Sequence, residues 1–185
     1  FTLMGTVVKV LVISAALFGI VALIGLMAFG LYYKAPVSGL SGVTRVNRTA
    51  PDFSLPLYGE GELELAELRG NPIVLNFWAS WCSPCREEAI SLQGAWQSYR
   101  DRGVRFIGIN IQDSKARARI HIDEFSITYP NGPDLDGTIT VDYGVIGIPV
   151  TFFVNSEGVI KGRWVGALDE YQLDSWLDGL SSNTF

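Results

Sequence analysis

The chain has 185 residues and a formal net charge of −5, and 48% of its residues are hydrophobic. This length allows one domain of ordinary size together with a short additional segment. The acidic balance, with no basic patch to neutralise phosphates, argues against nucleic acid as a partner.

The N-terminal part contains a long apolar run. No charged residue occurs from Val10 to Tyr33, and a helix of about 24 residues would be about 36 Å long. Since the hydrocarbon core of a bilayer is about 30 Å thick, we predict a transmembrane helix after a stub of residues 1–9. The run is longer than the apolar region of a cleaved signal peptide, and it ends in Leu31-Tyr32-Tyr33-Lys34, which is typical of a membrane interface.

The charges beside this run do not decide which side of the membrane the rest of the chain occupies. Lys9 precedes the run, whereas one lysine and two arginines follow it between Lys34 and Arg48. By the positive-inside rule this would favour a cytoplasmic C-terminal part, but the chain begins with Phe1 and we give the count no weight. Residues 34–50 contain many small and turn-forming residues and are predicted to form a flexible linker.

Residues 51–185 are predicted to form one α/β domain. Apolar residues alternate with others on both sides of a glycine-containing turn, which indicates a β-hairpin from about Phe53 to Leu65. The unbroken apolar run from Ile73 to Trp78 is typical of a central strand covered on both faces. Strands alternating with helices and ending in a hairpin imply a mixed sheet flanked by helices. The later predicted elements are strands at Val104 to Ile111, Val150 to Val154 and Val159 to Val165, helices at Ser114 to Phe125 and Leu168 to Leu180, and a turn at Tyr129 to Pro133.

The only two cysteines lie between the predicted central strand and a helix. Trp81-Cys82-Ser83-Pro84-Cys85 precedes a segment of helical period that extends to about Arg102, and Pro84 falls in the first turn, where its missing N–H has no cost. A helix start presents unpaired N–H groups and the positive end of the helix dipole, and both favour a thiolate. We therefore expect Cys82 to be the acidic, nucleophilic thiol and Cys85 to resolve any mixed disulfide that Cys82 forms.

Other roles of a C-x-x-C pair fit the chain less well. A tetrahedral zinc site needs four ligands, and the chain has two cysteines and a single His121, which we expect to be a solvated helix residue. Covalent haem attachment needs a histidine directly after Cys85, where Arg86 stands. A structural disulfide in so short a loop would constrain little of the unfolded chain. The Cys82–Cys85 pair is thus expected to be redox active without a metal or another cofactor.

The helix after the cysteines carries an acidic residue on its apolar face. Residues at steps of three and four share one face of a helix, and this face is mostly apolar. Its members are Cys85, Glu88, Leu92, Trp96 and Tyr99. Glu88 is predicted to point inward beside the cysteine pair, where burial would raise its pKa so that it exchanges protons with Cys85. The alternative is a glutamate that complements the helix dipole.

Three motifs carry a family resemblance, and together they are far more specific than an isolated C-x-x-C. They are Ala50-Pro51-Asp52-Phe53, the segment from Asn76 to Glu88 with W-C-x-P-C, and Gly147-Ile148-Pro149-Val150-Thr151-Phe152. With them, the chain from about Ala50 to Leu180 resembles the thioredoxin superfamily, and within it the membrane-anchored TlpA/ResA/CcmG-type thiol–disulfide oxidoreductases. Ordinary thioredoxins have a buried aspartate where Asn76 stands, and in the anchored type a glutamate at the position of Glu88 takes the acidic role.

The resemblance implies a thioredoxin-like fold with an extra N-terminal β-hairpin and a helical insert from Ser114 to about Tyr143. It also implies that Pro149 is cis and lies beside the cysteines, so that the backbone of Ile148 can pair with a client segment. Trp78 and Trp81 are expected to pack around the site, and Trp81 and Pro84 complete the expected substrate-binding residues.

The function that the resemblance implies is reduction of client disulfides outside the cytoplasm, in the periplasm or at the cell exterior, commonly in cytochrome c maturation. A membrane thiol reductant would then supply the electrons. Two other classes stay open: an accessory subunit of a larger membrane complex, and a thiol peroxidase. A peroxiredoxin needs a threonine three residues before its reactive cysteine, and Ala79 occupies that place.

Overall fold

The computed structural model of the chain describes residues 14–15, 17–26 and 46–182. Residues 14–15 and 17–26 are helical and are called α1 here; they belong to a compact unit separate from the following domain. The predicted membrane helix from Val10 to Tyr33 extends outside the described residues at both ends, and so does most of the predicted linker. Within the described ranges, no helix is long and apolar enough to cross a membrane.

The domain is built on a five-stranded mixed sheet with the strand order β5-β4-β3-β6-β7. The strands are β3 (Ile73–Trp78), β4 (Arg105–Asn110), β5 (Asn131–Pro133), β6 (Val150–Val154) and β7 (Ile160–Val165). β4 is parallel to β3 and to β5, whereas β6 is antiparallel to β3 and to β7. Every residue of the central strand β3 is buried, which confirms the prediction from its unbroken apolar run.

Helices cover the sheet. They are α2 (Ser83–Tyr99), α3 (Lys115–Glu124), α4 (Thr138–Asp142) and α5 (Glu170–Ser181). Alternate residues of β3 enter two different cores: Leu75 and Phe77 pack in one with Tyr143, and Val74 packs in the other with Leu92 of α2 and residues of α5. This alternation follows from the two-residue period of a strand and confirms the sheet flanked by helices.

The N-terminal hairpin is also confirmed. β1 (Ser54–Pro56) pairs antiparallel with β2 (Glu62–Glu64), and Leu55 lies opposite Leu63. The turn predicted at Tyr129 to Pro133 is wrong for its last three residues, which form the edge strand β5. Pro133 is tolerated there because an edge strand needs N–H donors on one side only. β5 pairs with the edge of β4 that does not face β3.

Candidate active site

The cysteine pair lies where β3 ends and α2 begins. Cys82 is the N-cap residue of α2, and Cys85 follows in the first turn with Pro84 between them. The two sulfurs form a disulfide, and the N–H of Cys85 donates a hydrogen bond to Sγ of Cys82 at 3.3 Å. The same N–H group and the start of the helix would stabilise negative charge on Cys82 once the disulfide is reduced.

A small apolar cluster surrounds the disulfide. Both cysteines are buried, and they pack with Trp78, with Ala118 of α3 and, at the edge of the cluster, with Ile148. The Ile148–Pro149 peptide bond is cis, as the resemblance implied. The chain thus brings the G-I-P segment against the cysteines although more than 60 residues separate them in sequence.

Trp81 differs from Trp78 in its surroundings. Trp78 is buried, and its indole N–H donates to Oδ1 of Asn131 at 2.9 Å. Trp81 is 54% exposed, with its indole N–H bound to the carbonyl oxygen of Gln112 at 3.0 Å. The expected packing role is therefore right for Trp78 only, and the ring of Trp81 forms part of the surface next to Cys82.

Glu88 points inward, as predicted, and is only 1% exposed. Its Oε1 accepts a hydrogen bond from Nδ2 of Asn76 at 2.7 Å, and its Oε2 accepts one from the N–H of Leu168 at 3.0 Å. Asn76 also donates to the hydroxyl of Thr151 at 3.0 Å. Burial raises the pKa of Glu88 to about 7, although the two hydrogen bonds favour the charged form and oppose the shift. A carboxyl group one helical turn beyond Cys85 therefore gains and loses its proton near neutral pH.

Glu88→Gln should change how stability depends on pH. Because the pKa of Glu88 is higher in the folded chain than its ordinary 4.5, its protonation stabilises the fold fully below about pH 4.5, and this contribution is lost as the pH rises through about 7. The unfolding free energy of the wild type should thus fall by about 2–3 kcal/mol across that window relative to the variant. Urea unfolding at several pH values between these limits measures the difference.

The neighbouring Glu87 is the matched control for this experiment, because it is exposed. Glu87→Gln removes the same charge from the same helix and should retain the pH dependence of the wild type. Parallel stability curves for the wild type and Glu88→Gln would show that Glu88 does not titrate in this window.

A second polar network holds the loop before Cys82. The carboxylate of Asp113 accepts hydrogen bonds from the N–H of Ser80 at 2.6 Å and from its hydroxyl at 3.0 Å. The N–H of Ser114 and the amide of Asn110 donate to the same carboxylate at 2.8 and 3.2 Å. Partial burial raises the pKa of Asp113, but these hydrogen bonds outweigh it and the pKa is lowered. No motif marks Asp113 in the sequence, because its partner Ser80 lies 33 residues away.

His121 is buried, and the prediction of a solvated helix residue is wrong. Instead of being solvated it is only 2% exposed, and its ring stacks on Trp78 with centroids 4.4 Å apart. Its Nδ1 is buried without a hydrogen-bond partner. Burial, with a smaller contribution from Arg86, lowers the pKa of His121 to about 4, so the ring is neutral at neutral pH. The inner face of α3 has few strongly apolar residues. The spacing of apolar residues in the sequence therefore did not show which face of the helix packs on the domain.

Sequence comparison agrees with this geometry. Residues 46–163, more than half of the chain, match the AhpC/TSA family model. The chain belongs to the AhpC/TSA family. A relative from Pseudomonas fluorescens biotype C named thiol:disulfide interchange protein DsbE is 37% identical over 139 residues, which cover 74% of each chain. The thiol–disulfide oxidoreductase ResA of Oceanobacillus iheyensis is 30% identical over 143 residues, or 75% of this chain and 74% of that one.

Two solved structures of similar proteins have the same fold as this AhpC/TSA family member. A thiol:disulfide interchange protein of the thioredoxin family from Chlorobium tepidum superposes with a TM-score of 0.68 at 25% identity, covering 75% of this chain and 99% of the other. A secreted Mycobacterium tuberculosis disulfide oxidoreductase homologous to E. coli DsbE gives a TM-score of 0.65 at 25% identity, covering 69% and 96%. The fold is therefore thioredoxin-like.

Site and relatives together identify the enzyme class. The chain is a thioredoxin-like thiol–disulfide oxidoreductase of the ResA/DsbE type. Its chemistry uses the Cys82–Cys85 pair and needs no external cofactor. Across the residues that the structure describes, no group of three or more His, Cys, Asp or Glu side chains could hold a metal ion.

Proposed function

We propose that this oxidoreductase is tethered to a membrane by its N-terminal apolar run and reduces disulfides of client proteins outside the cytoplasm, as in cytochrome c maturation. Cys82 attacks the client, Cys85 resolves the mixed disulfide, and Glu88 exchanges the proton of Cys85. The oxidised pair is then reduced by a thiol reductant associated with the membrane.

The observation that carries this proposal is the buried Glu88, one helical turn after Cys85, held by Asn76 and by the N–H of Leu168. A group whose pKa lies near 7 can accept and return a proton at neutral pH with little driving force lost in either direction. Resolution by Cys85 requires deprotonation of a thiol that is 2% exposed, and water has little access to it. Glu88 is an internal acceptor for that proton.

The proposed reaction conserves atoms and electrons. The Sγ of Cys82, as a thiolate, attacks one sulfur of the client disulfide, and the other client sulfur leaves and takes up a proton. Cys85 then loses its proton and attacks Sγ of Cys82, which releases the second client thiol. Two electrons pass to the client, and the chain ends with the Cys82–Cys85 disulfide that the structure contains.

The membrane tether and the location outside the cytoplasm are supported by one observation each. The run from Val10 to Tyr33 has no charged residue, and its predicted helical length matches the thickness of a bilayer. One of the structural relatives is described as a secreted protein. The membrane would then restrict the enzyme to clients that come close to its surface.

The reduction potential of the Cys82–Cys85 pair tests the proposed direction. A reductase should have a potential well below about −120 mV, which is typical of dedicated disulfide donors. Equilibration of the full chain with glutathione or dithiothreitol buffers, followed by alkylation of the free thiols, measures the potential. A value near that of the disulfide donors would contradict the proposal.

The two alternative classes give different results. A thiol peroxidase would consume hydrogen peroxide in the presence of a thiol reductant, whereas we expect no peroxide consumption while client disulfides are reduced. An accessory subunit would co-purify with other membrane proteins, and Cys82→Ser would leave the cellular thiol balance unchanged. We expect Cys82→Ser to shift client cysteines toward the oxidised state.

A further inference from the structure

A groove next to the cysteine pair has no role in the exchange chemistry described above. It has a volume of about 260 Å³ and is lined by Ser80, Trp81, Arg86, Arg117, Ile120 and His121. A second depression of about 540 Å³ shares Trp81 and Arg117 with it and continues along Gln112, Asp113 and Ser114. Trp81 and Arg117 thus belong to a continuous surface that begins one residue before Cys82.

Two elements form the walls of this groove. Arg117, Ile120 and His121 lie at positions i, i+3 and i+4 of α3, and residues with this spacing share one helical face. Opposite them is the loop of Ser80 and Trp81, which the hydrogen bonds to Asp113 hold in place. A peptide segment in the groove would therefore contact Trp81, the residue directly before Cys82.

One cation that lines the groove forms no ion pair. Arg86 is paired with Glu124. The ionised carboxylate of Asp113 lines only the adjoining depression, and its four hydrogen bonds come from neutral donors. Arg117 forms no ion pair with any residue in the described part of the chain, and its side chain is exposed. His121 adds no charge at neutral pH. Two further basic residues of α3 add positive charge to this helix. Lys115 is exposed, and Arg119 donates a hydrogen bond to the carbonyl oxygen of Tyr58.

The groove also has apolar contact surface. Trp81 is 54% exposed and Ile120 is 64% exposed, and both side chains line the groove. His121 is also among the residues that line the groove. Its Nδ1 is buried without a hydrogen-bond partner, which is unusual for such a nitrogen. In a chain with a net charge of −5, a cationic groove at the active site is a local exception.

We propose that this groove binds an acidic segment of the client next to its disulfide, with a client carboxylate on Arg117 and apolar client atoms against Trp81 and Ile120. The proposal rests on the proposed reductase function and specifies the clients that react fastest. Opposite charges near the reacting sulfurs raise the rate of productive encounter more than they strengthen the final complex. The preference should therefore appear in the second-order rate constant of client reduction and weaken as salt is added.

The test compares two peptides that contain the same internal disulfide and differ only in the residues flanking both cysteines, glutamate in one and glutamine in the other. The reduced full chain in detergent is mixed with each peptide, and release of peptide thiols is followed. We expect the second-order rate constant of the wild type to be about fivefold higher for the glutamate peptide at low salt, the size expected for one or two partly exposed ion pairs. The ratio should approach one at high salt.

Variants of Arg117 assign this preference to the groove. Arg117→Glu should invert the preference, Arg117→Gln should abolish it, and Arg117→Lys should retain most of it because the charge remains. Lys161→Glu is the matched control, since it makes the same change in net charge near the start of β7. The residue that pairs with Val150 is Val165, at the other end of the strand. Lys161→Glu should leave the ratio unchanged.

The outcomes separate this inference from the proposed function. If the wild type reduces both peptides at equal rates, or if Lys161→Glu changes the ratio as much as Arg117→Glu, the groove has no such role and the reductase function stands. If the reduced chain opens neither peptide disulfide while its own thiols remain free, the proposed function is wrong and this inference falls with it.

Discussion

Cys82→Ser is expected to abolish reduction of client disulfides, lowering the rate by at least about a thousandfold. Cys82 is the N-cap residue of α2, so a thiolate there receives the N–H of Cys85 and the positive end of the helix dipole. A serine hydroxyl accepts the same hydrogen bond but is not ionised at neutral pH and does not attack a disulfide. The loss is therefore chemical, and the fold should remain intact.

Cys85→Ser should give a different result and thereby assign the two roles. The first attack by Cys82 does not need Cys85, so the variant should accumulate a stable mixed disulfide with its client. Non-reducing electrophoresis and intact-mass measurement detect this adduct, and near-ultraviolet circular dichroism checks the fold of both variants. An adduct formed by Cys82→Ser, with none formed by Cys85→Ser, would reverse the assignment.

Gly132→Ala is expected to lower the unfolding free energy by about 3 kcal/mol or more. A Cβ atom at Gly132 in β5 would lie 2.1 Å from the carbonyl oxygen of Pro56 and 2.7 Å from Cγ of Leu55. The nearer atom belongs to the backbone of the N-terminal hairpin, so a change of side-chain rotamer cannot relieve the clash. Either the hairpin separates from the edge of the sheet or β5 separates from β4.

Gly59→Ala is the control for that substitution. Gly59 lies near the turn of the same hairpin, and a Cβ atom there has no neighbour within 4 Å, so its effect should stay within about 0.5 kcal/mol. Urea unfolding followed by tryptophan fluorescence measures both variants. Equal stability of the two variants would show that the hairpin does not pack against β5 as described.

The parts of the site that could be predicted depend on local patterns. The run from Ile73 to Trp78 predicted a strand buried on both faces, and the helical spacing of Cys85 and Glu88 predicted a buried carboxyl group, because strand and helix periods decide which residues share a face. The position of Cys82 at a helix start was equally readable from the chain. Burial of Glu88 is confirmed.

The parts that could not be predicted depend on contacts distant in sequence. β5 is a strand because β4 has an unpaired edge, and His121 is buried because α3 packs that face on Trp78. Asp113 reaches Ser80 only after β4 has aligned with β3. In β5, in α3 and around Asp113, the spacing of apolar residues does not show which side chains are buried.

By itself, the sequence determined the chemistry: two cysteines at a strand-to-helix junction, with a glutamate one turn later on the inner face. Only the tertiary structure decided the environment of that chemistry, including the pKa of Glu88, the loop held by Asp113 and the groove between Trp81 and Arg117. The physical reason is range. Helix and strand periods and the helix dipole act over a few residues, whereas burial and hydrogen bonding in this site join segments 12 to 80 residues apart.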